Sequence, residues 1–257
     1  MISTVALAAF LDEVLETSST PDYPNALNGL QFANRGTVSK IAACVDFSAR
    51  AVAGAKASSA DMLLVHHGMF WSGPRPLTGP AYERIVELVS ADIAVYSSHL
   101  PLDRHPTFGN NVLLSEQLGL VPSDGFAMHK GFPIGVRGVC DIPTSEIAER
   151  AGAFALRHGG NVITTGIGEG RRSRSWAICS GAGASGETLA EAVALGVDTL
   201  IVGEGPHWTS VEAADLGIAV IYAGHYATET LGVAALARHA GERFGLEWVM
   251  IHAPTGL

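Results

Sequence analysis

Two adjacent histidines, His66 and His67, close the apolar run MLLVHH and precede Gly68. Ligands of α/β sheets gather at the carboxyl ends of strands, so this pair sits where chemistry is usually done. Neighbouring strand residues point to opposite faces. Two such imidazoles do not readily chelate one ion, but each can serve one of two ions if the chain turns there. The plainer alternative is a pair of ordinary strand-end histidines. The next apolar run ends SSHLPLD, which puts His99 and Asp103 at the corresponding edge. A carboxylate is a hard ligand that can bridge two ions; Asp103 could equally serve a turn. His99 could act as ligand, proton donor or support for a ligand. A third run ends in AGHYATET, with His225 and Glu229 four residues apart. On a helix they share one face and form a good chelate, although Glu229 also suits a helix start on dipole grounds alone. Three separate strand ends thus each bring a ligand type toward one sheet edge.

A competing signal is GAGASG, with Gly181, Gly183 and Gly186, between a strand and a helix. Glu204 follows the next strand at the spacing of a ribose-binding acid, so the form is that of a dinucleotide fingerprint. That reading leaves His66, His67 and His225 unexplained. The other reading is a glycine turn whose backbone N–H groups approach a ligand or anion, bordering the same site. His207 could enter a pocket with Glu204. His105 is expected to face solvent, and Phe70 and Trp71 either wall a pocket or pack. His129, His158, His239 and His252 have no ligand-type neighbours in sequence.

The elements that must position these groups alternate. MISTVALAAFLDEVLE reads as an amphipathic helix, and TPDYPNALNGLQ as a loop. KIAACVDFS, MLLVHH and IAVYSSH read as strands; SARAVAGAKAS, PAYERIVELVSA and NNVLLSEQLG read as helices. Strands separated by such helices indicate crossover units and a largely parallel sheet. VPSDGFAMHKG reads as a loop and PIGVRGVC as a strand. TSEIAERAGAFALRHGG reads as a helix that Thr144 or Ser145 could cap. NVITTG, RSWAICSG, DTLIVG, GIAVIYAG and LEWVMIH follow as strands, with helices at GETLAEAVALG and ATETLGVAALARHAGERFG. The expectation is one domain over residues 1–257, of two α/β lobes. A soft boundary falls near 125, and the C-terminal third returns to the first lobe.

Composition narrows the function. The chain of 257 residues carries 16 Lys plus Arg against 25 Asp plus Glu, a net charge of −9. That surface repels phosphate backbones and argues against a nucleic-acid partner. No stretch is long and apolar enough to span a bilayer, and the N-terminus lacks a basic leader. Cys44, Cys140 and Cys179 lie far apart beside apolar runs, as expected of reduced thiols in a cytoplasmic protein.

With these residues in view, the chain resembles the Nif-three-like proteins, also called GTP cyclohydrolase 1 type 2 homologues, in their short bacterial form. The matching segments are NGLQ, HHGMFW, SSHLPLDRHPTFGNN, SGAGASG, GHYATETLGVAALA and the terminal PTGL. They run from Asn28 to the C-terminus. The resemblance implies a Nif-three-like α/β fold of two lobes with mixed, largely parallel sheets, a metal site at the strand ends between them, and a ring-like homohexamer. It implies a dinuclear centre held by His66, His67, Asp103, His225 and Glu229, with Glu229 bridging. Mixed N and O ligands suit Zn, Mn, Fe, Co or Ni. The expected activity is metal-dependent hydrolysis of a nucleotide-like or other small anionic substrate, with His99 moving a proton and the loop of Gly181, Gly183, Gly186 and Glu204 receiving an anion. The rival expectation is a non-catalytic metal-binding scaffold that works through protein partners.

Overall fold

The computed structural model describes residues 1–257. In chain order the first elements are β1 (Ile2–Ser3), α1 (Thr4–Val14), β2 (Gly29–Phe32), β3 (Thr37–Val38), β4 (Lys40–Asp46), α2 (Ala49–Ala57) and β5 (Met62–His67). Then come α3 (Pro80–Ala91), β6 (Ala94–Ser97), α4 (Leu100–Asp103), α5 (Asn110–Gln117), β7 (Asp124–His129), β8 (Phe132–Pro143) and α6 (Thr144–Arg157). The last are β9 (Ile163–Thr165), β10 (Arg172–Cys179), α7 (Gly186–Ala194), β11 (Thr199–Val202), α8 (His207–Asp215), β12 (Ala219–Tyr222), α9 (His225–Phe244) and β13 (Glu247–Met250). The chain forms two compact units: Met1–Leu102 with Gly232–Ala253, and Asp103–Leu231 with Pro254–Leu257. The division falls at Leu102/Asp103 rather than near 125, and the returning segment is Gly232–Ala253 rather than the whole last third.

The first unit is built on a five-stranded sheet in the order β13-β4-β5-β6-β2. The first four strands are mutually parallel and β2 closes one edge antiparallel. Every residue of β5 is buried, which is why MLLVHH shows no polar alternation: helices cover both faces of such a strand. Leu63 and Val65 join Ala42, Val52, Leu88 and Val95 in one apolar cluster. Each large side chain buried there contributes about 1.5–3 kcal/mol. NGLQ, expected in a loop, contributes β2 instead.

The second unit holds a six-stranded sheet in the order β7-β8-β10-β11-β12-β9. β10, β11 and β12 are parallel, whereas β7, β8 and β9 are antiparallel to their neighbours. Two apolar clusters cover its faces, one around Phe126, Leu189 and Leu200 and the other around Phe154, Trp176 and Ile221. The expected loop VPSDGFAMHKG forms β7. It turns back into β8 through Lys130 (φ 48°) and Gly131 (φ 90°), with His129 paired to Phe132. Two central residues at positive φ make the tight hairpin connection that matches strand twist. Nor does Thr144 or Ser145 cap α6. Pro143 holds that position without a side-chain bond, because the buried Thr144 hydroxyl is engaged with the Ser173 hydroxyl at 3.0 Å. Helix α8 is an element that the sequence pattern does not announce.

Candidate metal centre

In the first unit, β5 delivers His66 and His67 at its carboxyl end, both buried. Their rings do not diverge as strand neighbours would. The centroids are 4.8 Å apart because the strand stops there and the chain leaves through Gly68. A Cβ on Gly68 would overlap the Gln31 amide, and Gln31 accepts from the Met69 N–H at 2.7 Å. His99 follows β6 and is also buried. Ligand nitrogens of His66, His67 and His99 all lie within 4.8 Å of one another.

Each ring is held from behind. His66 Nδ1 donates to the Ser98 carbonyl at 2.9 Å, His67 Nδ1 to Asp46 at 2.9 Å, and His99 Nδ1 to Asp22 at 2.8 Å. A partner at Nδ1 fixes the ring and presents Nε2, the usual arrangement behind metal-ligating imidazoles. Asp22 is heavily committed: it also accepts from Asn28 Nδ2 at 2.8 Å and from the Tyr23 and Leu100 backbone N–H groups at 2.6 and 2.9 Å. Burial would raise its pKa, but the His99 contact, then Asn28 and the Tyr23 N–H, bring it below the ordinary carboxylate value. Trp71 is no spectator: its ring lies 4.7 Å from that of His67 and 4.4 Å from that of His99.

In the second unit, β12 ends at Tyr222 and α9 starts at His225, so His225 and Glu229 occupy its first turns. His225 Nε2 lies 3.2 Å from Glu229 Oε2, and His225 Nδ1 donates to Glu204 at 2.8 Å. Burial alone would lower the His225 pKa. Glu229 and then Glu204 override it, raising the value from 6.5 to about 9. Asp103 is buried at the end of α4 and accepts from Asn110 Nδ2 at 2.8 Å and Ser180 Oγ at 3.3 Å. Cys179 offers no thiolate ligand: burial, then Asp103, Glu229 and Glu191, push its pKa strongly up.

The glycine loop serves Glu229. Gly181 has φ +61°, and a Cβ there would overlap the Glu229 carboxylate; one on Gly183 would overlap the Cys179 carbonyl oxygen. Gly186 opens α7, which Ser185 caps in a capping box with Thr188. Glu204, expected with these glycines on an anion loop, lies beside them: its N–H donates to the Gly181 carbonyl at 2.7 Å, its carbonyl accepts from the Ala184 N–H at 3.2 Å, and its carboxylate accepts from His225 Nδ1. His207 is exposed at the start of α8. His105 is half-buried rather than solvent-facing, its Nδ1 accepting from the Thr107 and Phe108 N–H groups at 3.1 and 3.0 Å.

These donor sets fit divalent metal: imidazole and carboxylate, buried and backed by hydrogen bonds. They define an α/β protein with a buried His/Glu cluster able to hold a metal ion. The family described as Duf34/NIF3 (NGG1p interacting factor 3) matches residues 3–255. The chain belongs to that family. A Deinococcus radiodurans protein named GTP cyclohydrolase 1 type 2 homolog is 40% identical over 260 residues, covering 98% of this chain and 93% of its own. A Pyrococcus abyssi protein of the same name is 40% identical over 257 residues, covering 98% of each. The solved structure of TTHA1606 from Thermus thermophilus superposes with a TM-score of 0.82 at 34% identity, over 100% of both chains.

Proposed function

We propose that the protein is a hydrolase dependent on two divalent metal ions, held by His66, His67, Asp103, His225 and Glu229, and acting on a small anionic, nucleotide-like substrate. The observation that carries this reading is the trio of buried histidines with ligand nitrogens within 4.8 Å, each steadied at Nδ1. Bound divalent ions would supply a hydrolytic nucleophile at neutral pH and neutralise developing charge. The residues around them orient and tune. Asp22 holds the His99 ring so that Nε2 can take or give a proton, Asp46 and the Ser98 carbonyl orient His67 and His66, and Glu204 keeps His225 Nδ1 protonated. Gly181 leaves room for the Glu229 carboxylate. The relatives' name, GTP cyclohydrolase 1 type 2 homolog, supports a cyclohydrolase-like reaction. The wording "interacting factor" in the family description supports the rival, a metal-binding scaffold acting through protein partners.

Glu229→Gln separates them. It keeps the side chain's size while removing the charge that would hold two cations together. The hydrolase reading expects folded protein with lower metal content and greatly reduced hydrolysis in a substrate screen run with each metal restored. Full metal content with undiminished turnover would remove Glu229 from the site. Partner binding that survives, with no turnover in either form, would favour the scaffold. We propose further that the chain forms a homohexamer in the cytoplasm, which light scattering after size exclusion and cell fractionation would test. No helix is long and apolar enough to cross a membrane.

A further inference from the structure

We propose that the first unit carries a binding pocket for a flat-ringed acid, formed where the chain leaves the carboxyl ends of β4 and β5. A cavity of about 420 Å³ opens there, and His67 is part of its wall. Its remaining lining combines aromatic rings, Phe47, Phe70 and Trp71, with two guanidinium groups, Arg75 and Arg84. That volume lies within the range of small-molecule sites, which pair apolar walls with a few polar groups.

The cations set the charge of the pocket. The chain is acidic, at −9, and four of its arginines are tied to carboxylates: Arg35 to Asp92, Arg137 to Asp124, Arg150 to Glu146 and Arg172 to Asp141. Arg75 and Arg84 have no such partner. Arg84 is half-buried, its Cζ 5.7 Å from the Phe47 ring centroid, and its Nε is buried without a hydrogen-bond acceptor. An anion in the cavity would give this guanidinium the charge partner it lacks. The one carboxylate in the wall, Asp46, already accepts from His67 Nδ1, so the two guanidinium groups outnumber it. Guanidinium forks favour carboxylate and phosphate oxygens. Trp71, held against His67 and His99, is a fixed surface on which a planar ring can stack. The occupant is therefore a ring bearing an oxyanion, with the acid toward Arg75 and Arg84. That this occupant is the substrate rests on the hydrolase reading; that the pocket binds it does not, because every lining residue named belongs to one unit and none needs a metal to be in place.

Calorimetry on the full chain stripped with a chelator tests the pocket apart from the metal. The probes are 1-naphthoate, 1-naphthyl phosphate, neutral 1-naphthol and inorganic phosphate. Saturable binding of at least one naphthyl acid, tighter than both naphthol and inorganic phosphate, is expected. Preference for the carboxylate or the phosphate tells which acid the pocket is built for. Arg84→Met keeps an apolar stem over Phe47, and Arg75→Met changes an exposed side chain that the fold does not need. Each should weaken the preferred acid about tenfold, or ~1.4 kcal/mol, and leave naphthol binding unchanged. Binding of inorganic phosphate as tight as the naphthyl acids would remove the ring from the proposal. No saturable acid binding, or acid binding unchanged in both variants, would overturn it whatever the metal content or turnover proves to be.

Discussion

Replacing Gly181 with alanine isolates the role of the glycine loop, because Gly196 supplies a matched control. Gly181 has φ +61° and Gly196 φ +66°, but a Cβ on Gly196 meets nothing within 4 Å. Both alanine variants therefore carry the same backbone cost, about 1–2 kcal/mol for a left-handed non-glycine residue. For a chain of this size that is about 2–8 °C in Tm. At Gly181 the new methyl also overlaps the Glu229 carboxylate oxygen and lies 3.1 Å from Glu229 Cδ. The Glu229 side chain is 4% exposed and paired with His225, so it has no solvent to retreat into. Loss of its buried pairing adds about 1–3 kcal/mol, a further ~2–12 °C. Calorimetric melting of the chelator-treated variants measures both terms. Metal titration of the same samples should show G196A binding like the wild type and G181A at least about tenfold weaker, the loss typical when a group supporting metal ligands is disturbed. Equal melting losses in the two variants, together with equal metal affinity, would refute the claim that Gly181 makes room for Glu229.

Three further expectations follow the same logic. Elemental analysis of protein purified without chelator should approach two divalent ions per chain, and His67→Ala should lower the value; saturation at one ion, unchanged in the variant, would sink the dinuclear reading. Because the metal-free His225 pKa is raised to about 9, its protonated form stabilises the metal-free fold fully below pH 6.5, and that contribution is lost as pH rises through about 9. Metal must displace the same proton, so affinity should climb over that interval, with proton release detectable by calorimetry in buffers of different ionisation enthalpy; a flat affinity profile there would contradict it. Asp22, whose pKa is depressed, stabilises the fold above its unfolded value of 3.8 and loses that contribution as pH falls below it; Asp22→Asn should cost about 1–3 kcal/mol near neutral pH and flatten the acid limb of the melting curve, and an unaltered limb would exclude the role given to Asp22.

The strand ends are readable because burial leaves a strong mark. MLLVHH has no polar alternation, so its two histidines could only stand at the end of a strand covered on both faces. His225 and Glu229 are readable for a similar reason: a strand, a glycine and a helical spacing sit within a dozen residues. What supports those ligands is not. Asp22 meets His99 across 77 positions, and Asp46 meets His67 across 21, and no local pattern encodes a contact formed by the fold. Asp22 lies in a Pro-rich stretch that gives no reason to single it out. The spacing of Glu204 points to a ribose, whereas the βαβ unit of β10, α7 and β11 turns it onto His225. The hairpin of β7 and β8 is hidden because its turn is Lys130–Gly131, a weaker signal than Asn-Gly. Helix α8, in HWTSVEAAD, has only Thr209 and Ala213 buried, so its sequence shows little apolar periodicity.

The pairing of β13 with β4 bears on how the chain is made. Lys40 through Ala43 bond in parallel to Glu247 through Met250, so one flank of β4 acquires its neighbour only when Glu247 through Met250 emerge. At roughly 5–20 residues per second, the about 200 residues between them take some 10–40 s to synthesise. Throughout that time the nascent chain holds IAACV with one row of backbone donors and acceptors bare, the kind of edge that recruits strands from other chains. Premature termination anywhere before Glu247 would make that exposure permanent. Protection of this edge thus depends on synthesis reaching Glu247–Met250, and a holdase acting on ribosome-bound chains would find its target in β4.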